Sequence, residues 1–488
     1  MDSKNYVPMC QSLRQQVAFT ENSPVPSPEG SPFDAIKLIQ VVRADASLLP
    51  APYRDEYLSR LVQALPDVAV QLKQQEKNLV RHGWTAADAM AEVKSITDTL
   101  VGAVRDWGEP AYHEPLTRFE AVVSNLYRSF LSAEQRRNVG LPLIETVPPL
   151  VTFAATPEAG PFTLPSDSIR RLTGAAVGVV SLPGSYAPHP LLWPALAHET
   201  GGHDVLHADP GLLHELADGA QNLEGVPTAL GRIWTAWMDE AASDVYGILN
   251  IGPSFVVSLA AFFAALRNAA KQTDDLGTIA TILPVSNGQL LDPHPVDLLR
   301  LFLAMGVVES LEGLSVARRA EWINLIADVA AVAGGGATSI EVYDVTQKQV
   351  LERLPLETMS NAARRVGAYI ATARLAALKG HSVQDIETWD DDDETAAGNI
   401  AAVAAETSIV ALGDDAQLLA GATMAFLANP QKYGPITTNL SQALDDSFAR
   451  DPIFGTPAAR SALALKRRPR ARPRTPASPH FPLTLLSA

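Results

Sequence analysis

The segment Trp193 to His207, WPALAHETGGHDVLH, constrains this chain more tightly than any other. Pro194 suits the first turn of a helix, and Ala195, Leu196 and Ala197 are good helix formers. His198, Glu199 and His203 follow. On a regular helix, five steps of about 100° leave the two imidazoles roughly 140° apart, too far to share a partner. Gly201 and Gly202 lie between them and weaken helical regularity at a cost on the order of 1–2 kcal/mol. A one-residue bulge there would return His203 to the face of His198. His203 and His207, four apart, compete as a pair on a regular helix. Only His198 and His203 place a glutamate directly after the first histidine. His207 and His214 are read as surface or supporting residues.

A second helix is expected over Arg232 to Asn250, RIWTAWMDEAASDVYGILN. Its apolar face runs through Ile233, Trp234, Trp237, Met238, Ala241, Ala242, Val245, Ile248 and Leu249. Glu240 and Asp244, four apart, border that stripe. A buried carboxylate needs a cation or strong donors. Two imidazoles and a carboxylate from separate helices are the donor set of a zinc site. The expected ligands of a single zinc per chain are therefore His198, His203 and Glu240, with Glu199 beside the open coordination position. Asp244 is placed to accept the second ring N–H of a ligand histidine. The alternative is that Glu240 and Asp244 pair with arginines such as Arg232. Asp239 points to a neighbouring face and is read as solvated, and Tyr246 as packing.

His198-Glu199-Thr200-Gly201-Gly202-His203 resembles the H-E-x-x-G-H motif of gluzincin-type zinc peptidases such as dipeptidyl peptidase III. Glu240-Ala241-Ala242-Ser243-Asp244 is similar to that family's second motif, a glutamate ligand followed by an acidic supporting residue. Asp292-Pro293-His294-Pro295, with Arg300 beyond it, looks like the His-Pro…Arg element of other gluzincins, including CAAX-type membrane peptidases. The similarity covers roughly residues 180 to 302. It implies zinc on His198, His203 and Glu240, general acid/base work by Glu199, and a zincin-like core. The function expected is a zinc-dependent hydrolase, a metallopeptidase acting on a peptide or small amide through a zinc-bound water. His294, read as opening a helix, is the expected oxyanion donor. Arg300 is expected to anchor the Glu240 helix or a substrate carboxylate. Residues 178 to 190 are expected to offer an edge strand to the substrate, with Tyr186 and His189 lining the groove. Two alternatives are a zinc hydrolase of a non-peptide amide or ester, and a non-enzymatic helical interaction protein with a structural or vestigial zinc. A fourth protein ligand such as His207 would favour the latter.

Around this centre the chain reads as mainly α within an α+β class. Of its 488 residues, 47% are hydrophobic and 19% charged, ample for a large helical core. Residues 1–32, which end in a Pro/Ser-rich run, are expected to be a disordered leader. Residues 33–140 form an N-terminal helical region, with Leu58, Leu61, Val62, Leu65 and Val68 at helical spacing and Thr85 as an N-cap. Residues 141–311 form the catalytic region, with strands at Leu150–Phe153 and Ala176–Leu182. Residues 312–457 are expected to be helical, with the acidic run Asp390–Glu394 at a helix N-terminus. Residues 458–488 are expected to be a disordered basic tail. The net charge is −16, and six basic residues from Lys466 onward leave −22 on the rest, which argues against a nucleic-acid partner. The longest apolar segment, Phe255–Leu266, is too short to span a membrane and reads as a core helix. One cysteine, Cys10, precludes an intramolecular disulfide, and the first residues lack a secretory pattern, so a cytoplasmic location is expected.

Overall fold

Apolar residues at helical spacing organise most of the architecture. The computed structural model describes residues 2–17, 33–46, 49–81, 84–131, 136, 139–140, 147–155, 160–195, 197–271 and 277–450. Within them the fold is mainly α with two small mixed sheets. Helix Ser59–Arg81 buries Leu61, Leu65, Val68 and Leu72 along one stripe. Helix Ala86–Gly108 begins where Thr85 accepts the backbone N–H of Asp88, the N-cap expected from its sequence. Asp390 caps helix Asp391–Val403 in a reciprocal capping box with Asp393, so the acidic run is a helix start. Helix Ser254–Lys271 runs through the core, and no helix among the described residues is long and apolar enough to cross a membrane.

The first sheet holds β1 (Val147–Ala155), β2 (Phe162–Leu164) and β3 (Val177–Pro183). β3 lies between the others, parallel to β1 and antiparallel to β2. Both expected strands are present, but β3 is paired on both sides. It therefore has no free backbone edge for strand addition, contrary to the expectation for residues 178–190. Every residue of β3 is buried, as its unbroken apolar run requires. The chain leaves β3 through a short turn and a 3₁₀ segment, Pro190–Ala195, so Pro194 lies in a 3₁₀ rather than an α turn.

The second sheet corrects the expectation of helices alone after residue 312. Its order is β5-β4-β6-β7, from β4 (Ile282–Ser286), β5 (Gln289–Leu290), β6 (Ser339–Asp344) and β7 (Gln349–Pro355). β4 pairs with β6, so hydrogen bonding crosses the expected boundary at 311/312. Helices Asp297–Ser310 and Leu356–Thr372 also cross closely there. A Cβ on Gly306 would strike the backbone of Arg364, and one on Gly367 the backbone of Leu303.

The chain's first residues are also built into the fold. Helix Tyr6–Gln16 buries Tyr6, Met9, Cys10 and Leu13, which recur at one helical face. The Tyr6 hydroxyl lies 3.2 Å from Ala260 O and 3.1 Å from Gly277 O. The expected leader is thus an ordered, packed helix over this stretch. The rest of that expectation, residues 18–32, and the expected tail 458–488 lie outside the described residues.

Candidate metal centre

Residues His198–Asp204 form a π-helix, the one-residue insertion that a five-residue histidine spacing demands. The cause is local. A Cβ on Gly202 would lie 2.5 Å from Ser243 Cα, so only glycine lets this turn press against helix Met238–Ile251. The two imidazoles then meet edge to face, with ring centroids 4.8 Å apart. The helix expected over 232–250 is in fact two, Thr228–Ala236 and Met238–Ile251, with the break at Trp237. Asp239 and Glu240 consequently stand in a first helical turn, where the helix dipole favours negative charge.

Three ligand atoms converge. His198 Nε2 lies 3.2 Å from His203 Nε2 and 3.0 Å from Glu240 Oε2. His203 Nε2 lies 3.4 Å from Glu240 Oε1. The two Glu240 oxygens face one imidazole each, and one ligand atom can be taken from every residue so that all three lie within 4.8 Å of one another, a grouping that could hold a metal ion. Among the described residues this is the one group of three or more His, Cys, Asp or Glu side chains able to hold a metal ion.

The outer nitrogens explain why the inner ones face each other. His198 Nδ1 is 2.9 Å from Asp244 Oδ1, and His203 Nδ1 is 3.0 Å from Asp239 Oδ1. Each carboxylate assigns the ring proton to Nδ1 and aims an Nε2 lone pair inward. Two lone pairs and a carboxylate cannot crowd together unless a proton or a cation lies among them. Burial alone would lower the pKa of both imidazoles. Hydrogen bonds to Asp244 and Glu240 outweigh it and raise His198, while the charges of Glu240 and Asp239 raise His203 to about 10. Burial would raise Glu240, but the neighbouring charges of His294 and His203 hold it well below the usual carboxylate range.

Asp239, read from the sequence as solvated, keeps 39% of its side chain exposed and also bridges two histidines, since His207 Nε2 lies 3.3 Å from its second oxygen. His214 is exposed, as expected. The arginine that meets the carboxylate helix is Arg300, not the exposed Arg232. Its Nε and one terminal nitrogen donate to the two Asp244 oxygens, each at 2.6 Å. The guanidinium also sits over the Phe263 ring, 4.7 Å from its centroid. Tyr246 packs on Phe130.

Glu199 is buried, and the Thr163 hydroxyl on β2 lies 2.8 Å from its Oε2. His294 Nε2 is 3.5 Å from Glu240 Oε1, while its Nδ1 is 2.6 Å from Asp292 Oδ1. His294 does not open a helix: it stands in the loop before Asp297–Ser310, where Pro295 disfavours helical backbone at the residue before it. Tyr186 is only 2% exposed and packs edge-on against Phe262, so it offers a substrate no surface. His189 Nδ1 lies 2.8 Å from the Tyr433 hydroxyl, which ties it to the helix Tyr433–Arg450. Of the residues expected at the site, the three candidate ligands, Asp244, Arg300 and His294 come together, while Tyr186 is absorbed into packing and His189 is held by Tyr433. The supporting residues not foreseen are Asp239 and Thr163. Asp239 could have been found from its place directly before Glu240, whereas Thr163 carries no local signal.

Comparison with family models, with curated proteins and with solved structures gave no match for this chain.

Proposed function

We propose that this chain is a zinc-dependent hydrolase of gluzincin type, a metallopeptidase acting on a peptide or small amide. The observation that carries the reading is the convergence of His198 Nε2, His203 Nε2 and the Glu240 carboxylate, whose two oxygens face one imidazole each, within reach of a single metal ion. When bound, zinc supplies a Lewis acid and a water made acidic enough to attack near neutral pH. With the metal bound, Glu199, adjacent to the first ligand, would take the proton of the attacking water and return it to the leaving amine. Asp244 and Asp239 keep the two imidazoles in the tautomer that ligates. Arg300 balances the buried charge of Asp244. His294, beside Glu240 and tied to Asp292, is the group placed to donate to a developing oxyanion.

An open, catalytic site is favoured over a closed structural one because both His207 nitrogens face carboxylates outside the group, Nε2 3.3 Å from Asp239 and Nδ1 3.9 Å from Asp167, and among the described residues three side chains form the ligand group. A cytoplasmic setting suits a chain whose one cysteine, Cys10, is buried and unpaired. The test is metal analysis with a single substitution. The purified protein should carry about one zinc per chain. Glu199→Gln should keep that zinc and abolish hydrolysis of a peptide library. A variant that loses the metal, or that still turns over, would refute the roles assigned.

A further inference from the structure

Glu199 does not stand alone. Thr163 lies on β2, the short edge strand of the first sheet among the described residues, and its side chain is buried against the π-helix. Its hydroxyl oxygen is 2.8 Å from Glu199 Oε2 and 3.1 Å from the Glu199 carbonyl. A hydroxyl has a single proton, so it can serve only one of these two acceptors fully at a time. The carboxylate is the nearer, and a hydrogen bond to an ionised acceptor is the stronger. The other oxygen, Oε1, has no hydrogen-bond partner among the described residues.

The carboxylate is thereby made asymmetric, with one oxygen held and one left to exchange a proton. A glutamate side chain has three rotatable bonds and considerable rotamer entropy. Burial removes some of that freedom, but only a directional contact selects which oxygen is presented. The second acceptor adds to this. The Glu199 carbonyl, 3.1 Å away, keeps the same hydroxyl close to the turn that carries the carboxylate.

We propose that Thr163 is the positioning residue for Glu199, fixing through one hydrogen bond the carboxylate oxygen that exchanges protons at the metal centre. This rests on the hydrolase reading above, and its test separates the two. The full chain loaded with zinc is titrated with acetohydroxamic acid, a small chelator that gives up a proton to a neighbouring carboxylate when it binds a metal. Thr163→Val keeps the side-chain shape and favours strand, so it should fold and keep one zinc, with a lower Tm because a buried carboxylate oxygen loses its donor. It should bind acetohydroxamate about tenfold more weakly, as expected for losing a hydrogen bond to a charged group. Thr163→Ser restores the hydroxyl and should recover most of that affinity. A crystal structure of the valine variant should show the Glu199 side chain in more than one rotamer. Wild-type affinity and a single Glu199 rotamer in Thr163→Val would overturn the positioning role. If Glu199→Gln also binds acetohydroxamate like wild type, Glu199 is not the proton acceptor, and the hydrolase reading fails before the role of Thr163 does.

Discussion

His203 Nδ1 lies 3.0 Å from Oδ1 of Asp239, the residue directly preceding the third candidate ligand. One helical turn thus supplies both the candidate ligand carboxylate and a carboxylate that orients a candidate ligand histidine. Asp244, four residues after Glu240, does the same for His198. Such supporting carboxylates fix tautomer and orientation, and losing one typically costs 10–100-fold in metal affinity. Asp239→Asn should therefore weaken zinc binding within that range. A competition titration against a chromophoric chelator measures it. An unchanged affinity would mean that His203 needs no orienting partner.

A zinc ion on these ring nitrogens would have to displace protons, and this sets the pH dependence expected. His203 has its pKa raised to about 10 against an unfolded value of about 6.5. In the metal-free protein its imidazolium contributes stability that is complete below pH 6.5 or so and is lost as pH rises through about 10. The lowered pKa values of Asp239, Glu240 and Asp244 act on the acid side: their contribution is present above about pH 4 and lost as pH falls further. Zinc requires the deprotonated rings, so its binding releases protons and strengthens with pH. The rise in Tm on adding zinc, relative to protein in EDTA, should be larger at about pH 9 than at about pH 6. Equal rises at both would show that these imidazoles are not the ligands.

Gly202 is the residue on which the irregular turn depends. Gly202→Ala places a methyl against Ser243, and its Cβ would also lie 2.5 Å from Ser243 Cα, so trimming the serine side chain cannot relieve the clash. Overpacking of this kind costs about 1–3 kcal/mol. The variant should melt lower than wild type and bind zinc more weakly, and Gly202→Ala/Ser243→Gly should rescue neither property. Differential scanning calorimetry with zinc titration reads both. Full rescue by the double substitution would place the constraint in the serine side chain instead.

The helices and the two ligand-bearing segments were legible because they rest on local periodicity and on residue types with few other uses. His198 and His203 stood out by their spacing around a glutamate and a glycine pair, and Glu240 and Asp244 as carboxylates beside an apolar face. The π-turn was legible from the spacing conflict alone. The N-terminal helix was readable in principle, since Tyr6, Met9, Cys10 and Leu13 share one face, but the Pro/Ser-rich run after it drew the boundary too late. β6 and β7 alternate over only six and seven residues between longer helices, so the helical texture around them dominated. The break at Trp237 has no glycine or proline to announce it. The partnership of Thr163 with Glu199 joins residues 36 apart and exists only once β2 has paired with β3.

Arg300 and Asp244 form a two-point ion pair that is buried on both sides, at 4% and 2% side-chain exposure. Removing one partner of such a pair leaves an uncompensated charge in the interior and costs about 3–5 kcal/mol. Arg300→Met should therefore destabilise the protein strongly and also loosen His198, because Asp244 loses the fork that holds it. Arg300→Lys keeps the charge but not the planar pair of donors, and should fall between wild type and Arg300→Met. Arg300→Met/Asp244→Asn removes both charges together. It should recover part of the stability lost in Arg300→Met, yet not the zinc affinity, since the neutral amide orients His198 less strongly than a carboxylate. Urea denaturation of the four proteins, each with a zinc titration, distinguishes these effects. If the double substitution is as unstable as Arg300→Met, the cost lies in the lost packing of the arginine on Phe263 rather than in the stranded charge.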